Sequence, residues 1–217
     1  MIKKNVKLIS IDAMNTLIRL RESPGIVYTR FAQNYEVDRE MPCYAFNKGG
    51  AIVWWSQVVQ HCFLHASNNK TLLQELALKL YDHYSRIEPW TLVDDRAIEC
   101  LKALKSRGYF IAITSNFDSR LRSLLQEFGI ISHVDFLALS GELGVSKPDP
   151  AIFEALLKRF DLKSPNEILH IGDDYEKDYL AARNFGSSAY LIAQDSVKYN
   201  IDQKEIIQGV IDLNRQS

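Results

Sequence analysis

Asp12 closes a short apolar run in SIDAMNTL, and Met14 stands two residues later, where a second acid could have served as its partner. Three further stretches carry reactive side chains: Ser115 and Asn116 in TSNFD, Lys147 in GVSKPDP, and Asp173, Asp174 and Asp178 in IGDDYEKDY. Singly, each has an ordinary structural explanation, because an Asp after a strand often caps a helix, Ser-Asn is common turn chemistry and a lone Lys is commonly solvated. In this order they form a set: an attacking carboxylate, hydroxyl and amide donors, an ammonium and an acid cluster. Such a set supports phosphoryl transfer. A carboxylate that attacks phosphorus forms an aspartyl-phosphate, but it must approach an anionic ester, so cations have to neutralise the repulsion. Lys147 supplies one cation and a hard divalent ion the other. Oxygen ligands from Asp12, a backbone carbonyl and an acid of the last cluster suit Mg²⁺, which takes few protein ligands and keeps several waters. Ser115 and Asn116 can donate hydrogen bonds to the transferring phosphoryl oxygens.

These groups can act together only if the elements between them bring their loops to one place. Val6 to Ile11 is a β-branched apolar run, and it recurs in kind at 109–115, 136–140, 167–172 and 188–193, which gives five expected strands. Helix-period segments lie between the last four. In DSRLRSLLQEFG, Asp118 can cap, Leu121, Leu124, Leu125 and Phe128 share a face, and Gly129 terminates. In PDPAIFEALLKRF, Asp149 precedes Pro150 at the first helical position, and Ile152, Phe153, Leu156, Leu157 and Phe160 form the buried stripe. This alternation predicts an α/β fold with right-handed crossovers and a parallel sheet flanked by helices on both faces. In such a sheet the loops leaving the carboxyl ends of the strands gather on one edge, and those loops carry all four motifs.

The stretch from about Arg19 to Pro89 breaks the rhythm. It has no convincing strand, but it has helical stripes such as Leu73, Leu76, Ala77, Leu80 and Tyr84, and a second helix containing adjacent Trp54 and Trp55. An all-helical insertion is therefore expected, with one tryptophan turned toward the sheet domain. The 26 basic and 27 acidic residues are interspersed along the 217-residue chain, so no basic face advertises nucleic acid and no polybasic run suggests a membrane surface. Cys43, Cys62 and Cys100 form no CxxC pair, fit a reducing compartment, and read as buried small hydrophobes. The apolar run near the N-terminus is too short for a signal peptide or a spanning helix, so a cytoplasmic protein is expected.

The motifs DAMNTL, SNFD, KPDP and HIGDDYEKDY, taken with the tryptophan pair, resemble the haloacid dehalogenase superfamily of hydrolases, and within it the haloacid dehalogenase-like hydrolase domain-containing protein 3 group. The resemblance spans roughly Val6 to Ala193. It implies a Rossmann-like core made of residues 1–18 and 90–217, with residues 19–89 as a helical cap. It also implies Asp12 as nucleophile, Ser115 as phosphate binder, Lys147 bridging nucleophile and phosphate, and Mg²⁺ held by Asp12, the Met14 carbonyl, Asp173 and Asp178. The substrate implied is a small phosphorylated metabolite, met by a monomer without nucleic-acid or membrane partners. Phosphatases of the superfamily usually carry an acid/base Asp where this chain has Met14. A positioned acid or base contributes roughly 10²–10⁴ in rate, so alkyl phosphates should turn over slowly while Mg²⁺ binding survives.

Three functions fit these residues: a Mg²⁺-dependent phosphatase restricted to good leaving groups, a non-catalytic binding or regulatory protein, and a haloacid dehalogenase. The cluster of Asp173, Asp174 and Asp178 speaks against the last, because it suits a cation and would repel a haloacid's carboxylate if no metal were bound. His61 and His65 sit at i, i+4 spacing with Cys62 between them, but no further ligand completes a zinc site. His170, inside an expected strand, reads as a satisfied interior histidine. Arg21, Glu22 and Lys48 are charges near the insertion's entry that could select a substrate.

Overall fold

The computed structural model describes residues 5–32, 51–62 and 70–192. Cys43, Lys48 and His65 lie outside the described residues, as do the side chains of Trp54 and His61. The strands are β1 (Leu8–Ile11), β2 (Ile18–Leu20), β3 (Trp90–Leu92), β4 (Phe110–Ser115), β5 (Phe136–Leu139), β6 (Ile168–Gly172) and β7 (Ser188–Leu191). The helices are α1 (Pro24–Ala32), α2 (Ala51–Cys62), α3 (Lys70–His83), α4 (Ala97–Ser106), α5 (Arg120–Glu127), α6 (Ser140–Leu143), α7 (Ala151–Arg159) and α8 (Ala181–Phe185).

The five apolar runs form one parallel sheet in the order β5-β4-β1-β6-β7. Strand β1 is central because its residues are buried on both faces. Alternate side chains sort to opposite sides. Ile9, Ile11, Ile111 and Ile113 join Leu104 of α4 and Leu121, Leu124 and Leu125 of α5 in one core. Leu8, Ala112 and Ile168 join Ile152, Phe153 and Leu156 of α7 in the other. The expected helix punctuation is present. Gly129 closes α5 in the left-handed region at φ 73°, and Asp149 Oδ1 accepts the Ala151 N–H at 2.9 Å ahead of α7. The order of strands reverses between β1 and β6, so the crevice at their carboxyl ends is the place such a fold offers a ligand.

The stretch expected to hold no strand does hold one. Strand β2 pairs antiparallel with β3, Leu20 opposite Trp90, so a two-stranded ribbon leads out of the sheet and back. Between its strands come α1, α2 and α3, with Leu73, Leu76, Ala77, Leu80 and Tyr84 all buried as the periodicity predicts. Each ribbon strand has three residues, and Arg19 is exposed, so there is too little alternation for a strand signal to emerge. Cys62 is buried as expected, whereas Cys100 is only half-buried. Among the described residues no helix is long and apolar enough to cross a membrane.

Candidate active site

All four motif loops meet at the crevice. Asp12 follows β1 directly and its N–H donates to the Ile171 carbonyl of β6 at 2.8 Å, which fixes the start of the loop against the neighbouring strand. The chain then turns tightly: the Leu17 and Ile18 N–H groups both donate to the Ala13 carbonyl, and Asn15 sits at φ 55°, a conformation asparagine tolerates. Met14, half-buried, packs on this turn beside the ribbon.

Lys147 is the hub. Its ammonium donates to Asp12 Oδ1 at 2.6 Å and to Asp178 Oδ1 at 2.5 Å, and all three side chains are buried. Its backbone is clamped by Asn116, whose Nδ2 donates to the Lys147 carbonyl and whose Oδ1 accepts the Lys147 N–H, both at 2.8 Å. Besides the expected donation to phosphoryl oxygens, its carboxamide has a structural task, holding the lysine in place. Ser115 ends β4, buried, at the same edge.

Asp173 and Asp178 take different routes to the site. Asp173 follows β6 and receives weak hydrogen bonds from Asn15 and Thr16, each at 3.4 Å. Asp178 arrives on a π-helical turn, Tyr175–Leu180, a geometry often found at functional sites. Asp174 caps that turn, its side chain accepting the Glu176 and Lys177 N–H groups, which gives this otherwise unassigned acid its role. The Asp174 N–H in turn donates to Asp178 Oδ2 at 3.0 Å. Gly172 is required by the same packing: a Cβ there would collide with the Asp178 carboxylate.

Beneath the crevice runs a buried polar chain that the motifs alone do not show. Thr114 Oγ1 and Ser10 Oγ are 2.8 Å apart, Ser10 Oγ and His170 Nδ1 2.8 Å, and His170 Nε2 and Asp178 Oδ1 3.0 Å. Asp178 as a carboxylate can only accept, so Nε2 carries the proton. Burial lowers the His170 pKa and keeps the ring neutral at pH 7, so Nδ1 must accept from the Ser10 hydroxyl, which accepts from Thr114. Direction is thereby fixed along the whole chain. His170 is a satisfied interior histidine, as expected, and what satisfies it is Asp178, an acid of the candidate site. The signal was the polar trio Ser10, Thr114 and His170 on apolar strands; register pairs Ser10 with His170 and with Ala112, next but one to Thr114.

The charges divide unevenly. Burial pushes the Asp12 carboxyl up to about 6, although Lys147 pulls the other way. Burial raises Asp173 as well, and the Asp178 charge adds to it. For Asp178 burial is outweighed by the His170 hydrogen bond and the Lys147 ammonium, which hold it below the ordinary carboxylate range. Lys147 is raised: burial disfavours its charge, but Asp12 and Asp178 more than offset that. One ammonium thus faces three carboxylates. Oxygens of Asp12, Asp173 and Asp178 all lie within 4.8 Å of one another, a hard, surplus-negative donor set that fits a divalent cation such as Mg²⁺.

Against the crevice lies a cavity of about 240 Å³ shared by the sheet and the inserted helices. Met14 and Asn116 line it on the sheet side, with Trp55 of α2, Tyr84 and Trp90 across from them. Trp55 therefore meets the sheet domain. Arg21 and Glu22 stay exposed, and Glu22 pairs with Arg30 rather than with the crevice.

Residues 6–186 match the haloacid dehalogenase-like hydrolase family. The chain belongs to that family. It is 32% identical to haloacid dehalogenase-like hydrolase domain-containing protein 3 of Xenopus laevis, over 94% of this chain and 93% of that protein. It is 27% identical to the rhythmically expressed gene 2 protein of Drosophila melanogaster, over 97% of this chain and 94% of the relative. The first of these is the group whose motifs the sequence resembles. Among solved structures, a predicted phosphoglycolate phosphatase from Haemophilus somnus superposes with a TM-score of 0.67 at 21% identity, covering 94% of this chain and 98% of that one. That similarity shows the same Rossmann-like fold.

Proposed function

We propose that the protein is a Mg²⁺-dependent phosphatase acting through an aspartyl-phosphate on Asp12, and that it favours substrates whose leaving group departs without protonation. The observation that carries this reading is the buried Asp12–Lys147–Asp178 triad set beside Asp173. Residues 1–18 and 90–217 would serve as the catalytic core and 19–89 as the cap over it. Asp12, Asp173, Asp178 and the Met14 carbonyl would hold Mg²⁺, which neutralises charge on the phosphoryl oxygens when bound.

The chain's own residues supply the rest. An Asp12 oxygen forms a bond to phosphorus, the ester P–O bond breaks, and the alcohol oxygen leaves with the electron pair. Lys147 holds Asp12 in position and offsets the ester's charge, while Ser115 hydrogen-bonds the phosphoryl group. Water then attacks phosphorus, releasing phosphate and restoring the Asp12 carboxylate. Met14 has no proton to lend to the departing oxygen. The substrate is a small phosphate monoester.

The absence of an acid at Met14 also favours a second reading, a phosphate- and Mg²⁺-binding protein without turnover. One experiment separates them. Para-nitrophenyl phosphate is expected to be hydrolysed only with Mg²⁺, and Asp12→Asn to lower kcat by about 10⁴-fold or more while the protein stays folded. Full activity in a folded Asp12→Asn protein overturns the mechanism; Mg²⁺ binding without turnover in the unmodified protein selects the second reading.

A further inference from the structure

We infer that the cavity beside Met14 receives the alcohol half of the substrate, and that this half is aromatic or a comparably flat apolar group. The inference rests on the phosphatase reading and names its substrate class. Position comes first: Met14 is two residues from Asp12, and Asn116, which clamps Lys147, lines the same cavity, so the space continues from the triad. Size follows. About 240 Å³ exceeds the roughly 150 Å³ of an engineered apolar cavity that takes up benzene, leaving room for one ring or a fused pair.

The walls are rings. Trp55 and Tyr84 meet edge-on at 5.7 Å between centroids, Tyr84 and Trp90 edge-on at 6.1 Å, and Trp90 and Phe117 at a tilt at 5.7 Å, a continuous aromatic surface from the inserted helices to the Asp118 loop. The two charges in the lining cancel. Arg120 grips Asp118 through Nε and Nη2, the second bond at 2.7 Å, with its guanidinium 4.0 Å from the Tyr81 ring centroid. Both side chains of that pair are buried, so neither is held out for an anion. A polyol bound here would leave hydroxyls unpaired, each at a cost on the order of tenfold in affinity. Met14 continues the apolar surface up to the reacting end, where an acid would have interrupted it.

The test holds leaving-group chemistry constant. Benzyl phosphate and glycerol 1-phosphate both release alkoxides, so a difference between them reports the cavity. The kcat/KM for benzyl phosphate is expected to be higher by roughly 10- to 150-fold, the worth of burying one phenyl ring. In Mg²⁺ buffer, calorimetry with benzylphosphonate and 2-hydroxyethylphosphonate, which carry non-hydrolysable C–P bonds, is expected to show the same preference in Kd. Trp55→Ala should narrow it at least several-fold, and Trp55→Phe should restore most of it. Turnover of both esters at equal kcat/KM overturns the inference and leaves the phosphatase standing. Phosphonates bound equally, or not at all, overturn it as well. Preferential benzylphosphonate binding without turnover of any ester keeps the aromatic site and removes the phosphatase.

Discussion

The floor of the crevice and the cavity beside it are both buried, yet they are built on opposite terms. In the floor, polar side chains are linked partner to partner, from Thr114 through Ser10, His170, Asp178 and Lys147 to Asp12. In the cavity, the surface is aromatic and its one buried ion pair, Arg120 with Asp118, is closed upon itself. Met14 stands at the boundary. The difference teaches that the charge needed for chemistry is confined to the sheet edge, while the inserted helices contribute shape and apolar area. A polar network of this kind is sensitive to loss of any one member, whereas an apolar wall tolerates loss of a polar atom.

The comparison breaks most sharply at Lys147. Lys147→Met leaves two buried carboxylates facing each other, and without Mg²⁺ it is expected to destabilise the fold by about 3–5 kcal/mol, a fall of roughly 6–20 °C in melting temperature. Millimolar Mg²⁺ should recover part of the loss. Thermal unfolding with and without the cation checks this.

A matched pair of substitutions compares the regions directly. His170→Leu removes the donor to Asp178 and the acceptor of the Ser10 hydroxyl, and is expected to cost about 1–3 kcal/mol in denaturant unfolding. Tyr84→Phe removes a buried hydroxyl that has no partner among the described residues and should change stability by less than about 0.5 kcal/mol. Equal losses for the two would erase the distinction between floor and wall.

A smaller effect sharpens the floor further. Asp12 has a pKa raised to about 6, so below that pH it is protonated in the native protein and must lose the proton before it can bind a cation. Mg²⁺ affinity is therefore expected to rise roughly tenfold per pH unit up to about pH 6 and to flatten above it. Calorimetric titration from pH 5 to 8 measures the slope, and Asp12→Asn should remove it.

The sheet was legible in the sequence because its strands are buried on both sides and read as continuous apolar runs, and because Gly129 and Asp149 mark helix boundaries. Asp12, Asn116 and Asp173 were legible because each directly follows a strand. The ribbon was not, since three-residue strands carry no period. Neither was the link from His170 to Asp178, because a histidine in an apolar strand looks the same whether it faces a core or a site. The cavity was hidden for a different reason: Met14, Trp55, Tyr84 and Phe117 meet only after the chain returns through the ribbon, and no local pattern joins them. Asp118 announced itself as a helix cap and does accept the Arg120 N–H, but its charge is committed to the Arg120 guanidinium, a pairing that spacing alone does not reveal.

The central claim is that the site is complete for phosphoryl transfer except for proton delivery at Met14. It is tested most directly by the dependence of kcat/KM on leaving-group pKa, measured with ring-substituted phenyl phosphates and benzyl phosphate so that the cavity is filled throughout. The account predicts a steep dependence in the unmodified protein, with benzyl phosphate far below the phenyl esters. Met14→Asp should flatten it, raising benzyl phosphate turnover by about 10²-fold or more and phenyl phosphate turnover by less than about tenfold. A shallow dependence in the unmodified protein, unchanged by Met14→Asp, would contradict it and place the proton donor elsewhere.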